Sequence, residues 1–326
     1  MMFKSLAARI CACVTLSFGS IGPTQAAEDV TLRLNWQILG FHAPFYYGVA
    51  QGYYAAEGIN LKISEGRGGA VTATAIGAKS DTFGMVDAGT LMVSNTRGIP
   101  IRTTLSLMNS GLFAVVSRAD AGIRTAADLQ GKTIAVTAGD ALTQLFPSVV
   151  KVNKLKPDSV KFVNVDAASK VLAVLEKRAD GLLGSVDAQS FQLEAAGVKA
   201  GVLSYEDMGV PLVGMTIVAH EDTIKNNPDL VRRFNRATRK AYEAALANPA
   251  AVARAAVAVK PELDVAVVQK QLEVDLKLMT SANTKGHPIG WGSTADWAAT
   301  LALLKEYQDL QTTKSGDAFF TNDLLQ

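Results

Sequence analysis

The chain has 326 residues, 48% of them hydrophobic and 19% charged, with a formal net charge of +2; this is the composition of an ordinary globular protein and excludes a disordered or low-complexity chain. No cluster of lysine and arginine marks a nucleic-acid footprint. Both cysteines, Cys11 and Cys13, fall within the first 26 residues, which excludes a disulfide, a thiol nucleophile or a cysteine metal site from the rest.

The chain opens as a secretion signal. Lys4 and Arg9 give a positive start, an apolar stretch Ile10–Ile21 follows, and small residues close it at Thr24-Gln25-Ala26. The apolar stretch is too short to span a bilayer, so residues 1–26 are expected to be removed and the remainder to be periplasmic. Cys11 and Cys13 offer a lipid-attachment alternative, but they precede most of the apolar stretch and cleavage there would leave the signal incomplete. Without Lys4 and Arg9 the remaining 300 or so residues carry no net charge, and their number suggests two lobes.

From there short β-rich runs alternate with helical patterns, which predicts α/β lobes with mainly parallel sheets and helices on both faces. Strands are expected at Val30–Leu34, Asn60–Ser64, Thr82–Val86, Ile101–Leu107, Leu112–Ser117, Thr133–Val136, Val160–Val165, Leu182–Val186 and Val213–Ala219. Pro44 and Gly58 frame a helix over Phe45–Glu57. Thr125-Ala126-Ala127-Asp128 and Ser293-Thr294-Ala295-Asp296 read as capping boxes. From Pro228 to Asn248 the apolar residues Leu230, Val231, Phe234, Ala237, Ala241 and Ala245 form one buried helical stripe. The C-terminal helices read as scaffold without chemistry.

Ligands of open α/β sheets collect beyond the carboxyl ends of the strands. After the first strand come Asn35, Trp36, Phe41, His42 and Phe45, which can stack a flat ligand while amide and imidazole groups orient it; Phe41 and Phe45 serve equally as core of the following helix. After the second strand, Glu65-Gly66-Arg67-Gly68-Gly69 leads into a helix over Val71–Ala78. Gly68 and Gly69 let backbone approach a ligand and Arg67 can hold a carboxylate, sulfonate or phosphate, or the segment is a surface turn. After the third strand, Asp87 accepts from a ligand amine or caps the next helix.

Three stretches carry a resemblance. Leu34 to Ile59 holds a polar-aromatic loop, a helix ending Ala50-Gln51-Gly52-Tyr53-Tyr54, and Glu57-Gly58-Ile59 before the second strand; Asp81-Thr82-Phe83-Gly84-Met85 and Ala127-Asp128-Leu129-Gln130-Gly131-Lys132-Thr133-Ile134-Ala135-Val136 follow. With Asn227-Pro228-Asp229-Leu230, this resembles the periplasmic importer subunits for sulfonates, taurine, nitrate and thiamine-type pyrimidines, related in fold to the thiamine-pyrimidine synthases.

The resemblance implies a two-lobed, Venus-flytrap binding protein of type II, with residues 27–112 and 213–326 in lobe one and 113–212 in lobe two. It implies a small aromatic, heterocyclic or organic-anion ligand, an ABC permease with a cytoplasmic ATPase as partner, a monomer, and no cofactor or metal. In the resembled family, positions matching Gly139, Asp140, Ser185 and Asp187 face the cleft from lobe two, although Asp187 also suits the cap of a helix over Asp187–Ala196. Trp291 is a candidate lid or a buried anchor. A synthase-like enzyme is the rival reading; those synthases carry a cysteine-rich iron-binding run and a consumed histidine, and beyond residue 26 this chain has only His42, His220 and His287 and no cysteine.

Overall fold

The computed structural model describes residues 27–138 and 140–326. The expected signal segment, with Cys11 and Cys13, and Gly139 lie outside the described residues.

Ten strands form two five-stranded sheets. In chain order they are β1 (Glu28–Arg33), β2 (Ile59–Ser64), β3 (Phe83–Asp87), β4 (Ile101–Ser106), β5 (Phe113–Arg118), β6 (Thr133–Val136), β7 (Lys161–Asn164), β8 (Gly181–Ser185), β9 (Ala200–Ser204) and β10 (Met215–His220). The helices are α1 (Ala43–Ala50), α2 (Tyr53–Ala56), α3 (Gly69–Gly77), α4 (Ala88–Thr96), α5 (Ala141–Val152), α6 (Lys170–Leu175), α7 (Gln189–Ala195), α8 (Glu221–Asn226), α9 (Pro228–Ala247), α10 (Pro249–Val259), α11 (Val265–Leu278) and α12 (Thr294–Gln308). None of these is long and apolar enough to cross a membrane.

The first sheet runs β2-β1-β3-β10-β4 and the second β7-β6-β8-β5-β9. Both are mixed in the same way. In each, one strand lies antiparallel to both its neighbours, β10 in the first sheet and β5 in the second, and these are the strands on which the chain enters or re-enters that sheet. The apolar runs explain the order. β3 and β10 are buried along their whole length, as continuous apolar strands covered on both faces must be, whereas β7 is mostly exposed and takes an edge.

β9 is the strand that the pattern of residues does not announce. It is short, contains Gly201 and pairs only with β5, and glycine weakens a strand signal. The helix expected over Phe45–Glu57 is two helices, because Gly52 adopts the left-handed φ of +71° and stops α1. The helix expected from Asp187 starts two residues later, at Gln189. Thr125 and Asp128 do form a capping box, at the head of a 3-10 turn, and the Ser293 hydroxyl accepts from the Asp296 N–H at the start of α12.

The first sheet packs through Phe83, stacked on Phe234 of α9 at 3.9 Å. α11 lays its buried face of Val268, Gln271, Leu272 and Asp275 against a 3-10 turn, Gly40–His42. Only glycine fits at position 40, since a Cβ there would lie 2.3 Å from the Leu272 nitrogen. α12 reaches across to the second lobe, where Gln308 donates to the Ser148 hydroxyl and Lys151 of α5 donates to the Tyr307 carbonyl.

Candidate functional site

A cleft of about 110 Å³ opens between the sheets. Its lobe-one wall comes from the segments after β1, β2 and β3, and its lobe-two wall from those after β6 and β8, the carboxyl ends at which open α/β folds gather ligands.

Asn35, Trp36, Phe41, His42, Gly68, Gly69, Asp87, Asp140, Ser185 and Asp187 all line it. Phe45 does not: it has no exposed surface and packs edge-on against Tyr242 at 5.5 Å, because α1 must bury the face it belongs to. Arg67 does not line it either; its side chain is exposed to solvent, so the anion clamp expected there is absent from the cleft. Trp291 is stacked on His287 at 3.7 Å, away from the cleft.

The aromatic loop is held by a relay. The Leu39 N–H donates to His42 Nδ1 at 3.0 Å, so the ring proton sits on Nε2, which donates to Asn35 Oδ1 at 3.0 Å. Burial drives the His42 imidazolium down to about 4, and the neutral tautomer with both nitrogens engaged fixes the Asn35 amide. Asn35 is left with its Nδ2 as the group it can offer to the cleft. Gly66 and Gly68 donate backbone N–H groups to the carbonyls of Trp36 and Asn35. That clasp demands glycine at 66, where a Cβ would lie 1.9 Å from the Leu34 carbonyl oxygen. Trp36 remains half-buried, with no ring stacked on it among the described residues.

The carboxylates differ in what they already do. Asp87 caps α4 by accepting from the Thr90 N–H at 2.8 Å and also lines the cleft; burial pushes its carboxyl up. Asp140 caps α5 through the Thr143 N–H at 2.7 Å, and its other oxygen meets Lys170 Nζ at 3.2 Å. Asp187 caps nothing. It is buried, one of its oxygens has no hydrogen-bond partner, and burial pushes its carboxyl up.

Lys170 and Gln189 line the cleft without a counterpart in the sequence reading, and two polar residues of α11 stand behind it. Lys170 is buried, donates to the Leu183 carbonyl at 2.8 Å and is the only lysine or arginine lining the cleft among the described residues. Gln189 receives the Ser185 N–H and lines the wall. From α11, Gln271 accepts the Gly40 N–H at 3.1 Å and Asp275 sits fully buried one turn further on, and neither of them lines the cleft. The available signal was two polar residues, Gln271 and Asp275, spaced i, i+4 on a face otherwise set by Val268 and Leu272.

Comparison with known proteins places this architecture. The riboflavin-binding protein RibY of Chloroflexus aurantiacus is 25% identical over 91% of this chain and 86% of its own length. A 4-amino-5-hydroxymethyl-2-methylpyrimidine phosphate synthase of Saccharomyces cerevisiae, THI11, is 22% identical over 86% of this chain and 85% of its own. Among solved structures, the alkanesulfonate-binding protein SsuA of Xanthomonas axonopodis pv. citri superposes with a TM-score of 0.70 at 15% identity, covering 91% of this chain and 99% of that one, a likeness of two-lobed fold. The family model described as NMT1/THI5 like matches residues 40–252, well over half of the chain, and the protein belongs to that family.

Proposed function

We propose that this protein is the extracytoplasmic solute-binding subunit of an ABC importer, exported by its first 26 residues, and that its cleft captures a small nitrogen heterocycle bearing N–H or cationic donors. It works as a monomer that closes its lobes, 27–112 with 213–326 on one side and 113–212 on the other, about the two segments where the chain passes between them, near Leu112–Ser117 and Val210–Val218, and then presents the closed form to a membrane permease with its cytoplasmic ATPase.

One observation carries the choice of ligand: the cleft is lined by three carboxyl groups, Asp87, Asp140 and Asp187, while its one lysine is already paired with Asp140. An organic anion would meet two further carboxyls and no unpaired cation. A ligand with N–H or positive groups stabilises negative charge at Asp87 and Asp187 in a setting that otherwise resists it. The half-buried Trp36 supplies a flat apolar face for a ring. Riboflavin and aminopyrimidines, the compounds in the relatives' names, are nitrogen heterocycles of this kind.

The synthase reading has the relatedness of the yeast enzymes and His42 in its favour. Both His42 nitrogens are spoken for within the loop, which favours a positioning role for that residue. Calorimetric titration with aminopyrimidines, riboflavin, alkanesulfonates and nitrate decides between the classes. Saturable binding of an aminopyrimidine or flavin, recovered unchanged, is expected; tight binding of sulfonate or nitrate alone would overturn the ligand class, and a modified product would overturn the transport role.

A further inference from the structure

Asp275 of α11 is the most anomalous ionisable group outside the cleft lining. It has no exposed surface, and neither carboxyl oxygen makes a hydrogen bond to a donor group of the protein. A buried carboxylate left in that state would be strongly disfavoured. The group that faces it across the lobe boundary is the carboxyl of Asp187, within hydrogen-bonding reach and itself carrying an unpartnered oxygen.

The other groups around the pair come from three elements. Tyr242 of α9 lies near Asp275, but its hydroxyl is committed to the Phe41 carbonyl at 2.8 Å. The Phe41 N–H, from the turn Gly40–His42, is close enough to favour a charged Asp275 without completing a hydrogen bond, and His42 of that turn is neutral. On the lobe-two side the Ser185 hydroxyl favours a charged Asp187. No cation faces either carboxyl among these groups. Two carboxyls so placed cannot both ionise, and the stable arrangement holds one proton between them.

We propose that Asp275 is a positioning residue for the cleft: it donates a shared proton to Asp187 across the lobe boundary, and this bond holds the closed arrangement in which Asp187 faces the ligand space. α11 belongs to lobe one and the segment after β8 to lobe two, so the bond exists only when the lobes are together. Burial and the neighbouring negative charge of Asp187 hold the Asp275 proton well above the ordinary carboxylate range, while in the open form both groups meet water and titrate normally. The closed form therefore binds more protons than the open one. Closure is favoured at low pH and lost as the pH rises through the pair's last ionisation, when the proton passes to solvent and two anions face each other.

The inference rests on reading the cleft as one that closes, and its test uses no ligand, so failure to bind a heterocycle and failure of the latch are separate results. Small-angle X-ray scattering of the ligand-free protein is measured from about pH 6 to about pH 9, the span reached by buried carboxyls and above the range in which His42 titrates. The wild type is expected to be compact at the lower end and to expand towards the upper. D275N keeps a donor to Asp187 but has no proton to lose, so its expansion should disappear or shift upward by at least about one pH unit. D275A should be expanded throughout. D187N removes the charge that adds to the burial of Asp275, so its expansion should move away from the wild-type pH, and it serves in place of D275N if circular dichroism finds D275N unfolded. A wild-type radius of gyration that does not change with pH, or amide variants that follow the wild-type profile, would overturn the proposal.

Discussion

The two walls of the cleft are built on different physics. Lobe one contributes aromatic rings and glycine backbone, fixed by short-range clasps among residues 34–68. Lobe two contributes the polar and charged side chains of Asp140, Lys170, Ser185, Asp187 and Gln189 beside Phe113 and Leu142, fixed by an ion pair, the Asp140 cap of α5 and the bond from the Ser185 N–H to Gln189. A platform of the first kind is formed before any ligand arrives and attracts by apolar contact; a wall of the second kind gains most once water is excluded. On the proposed function, the contrast assigns stacking of a ring to lobe one, while polar recognition is shared between Asp87 of lobe one and the wall of lobe two.

The strongest way to break that contrast is to remove the lysine that organises lobe two. Lys170→Met leaves the mostly buried Asp140 with only the Thr143 N–H as partner, and a loss of about 3 kcal/mol in stability is expected from denaturant unfolding; a loss below about 1 kcal/mol would mean that the pair is solvated. Acid tests the lobe-one relay. His42 titrates near 4 when folded and near 6.5 when unfolded, so the unfolded chain binds more protons between those values. Its contribution is complete above pH 6.5 and is lost as the pH falls to about 4, roughly 3 kcal/mol in all. His42→Gln should flatten acid unfolding in that window; an unchanged slope would place the acid sensitivity elsewhere.

Gly66→Ala attacks the clasp, and a loss of about 2 kcal/mol in stability is expected from a Cβ forced onto the Leu34 carbonyl; a melting curve equal to wild type would show that the loop yields. Trp36→Ala should leave folding intact and weaken a planar ligand by about 2 kcal/mol, by analogy with base stacking, and calorimetry showing equal affinity would remove Trp36 from the docking face. Arg67→Ala sharpens the contrast by doing least: an exposed side chain off the cleft should change binding and stability by under about 0.5 kcal/mol. Selective loss of anionic ligands would return Arg67 to the site.

How far the sequence revealed this depends on the range of the interaction that fixes each part. Strand positions such as Thr133–Val136 follow from local apolar runs, and the caps at Ser293 and Asp87 from residue type at a helix start. Most of the cleft lining was equally legible, because a fold of this class puts its ligand at known strand ends. The failures are non-local. Phe45 and Phe41 look alike in sequence and both pack against Tyr242 of α9, yet only Phe41 also reaches the cleft. Arg67 carries the right chemistry but turns outward. Lys170 gains its meaning from Asp140, 30 residues earlier in the same lobe, and Asp275 from Asp187 in the other lobe, and no local pattern names either partner.

The placement of β10 also fixes an order of assembly. All five strands of the second sheet come from one continuous stretch, 113–204, so that lobe can complete itself as soon as the stretch is available. The first sheet cannot: β3 and β4 do not pair with each other and are joined only by β10, whose residues Met215 and Thr216 sit against Asp87 and Ser106. Four of its five strands lead the chain, yet they wait with a gap in their midst for a strand more than a hundred residues later. Pairing at that separation is slow, so the half of the protein that emerges first is expected to finish folding last, its half of the cleft wall being completed after the other lobe has formed.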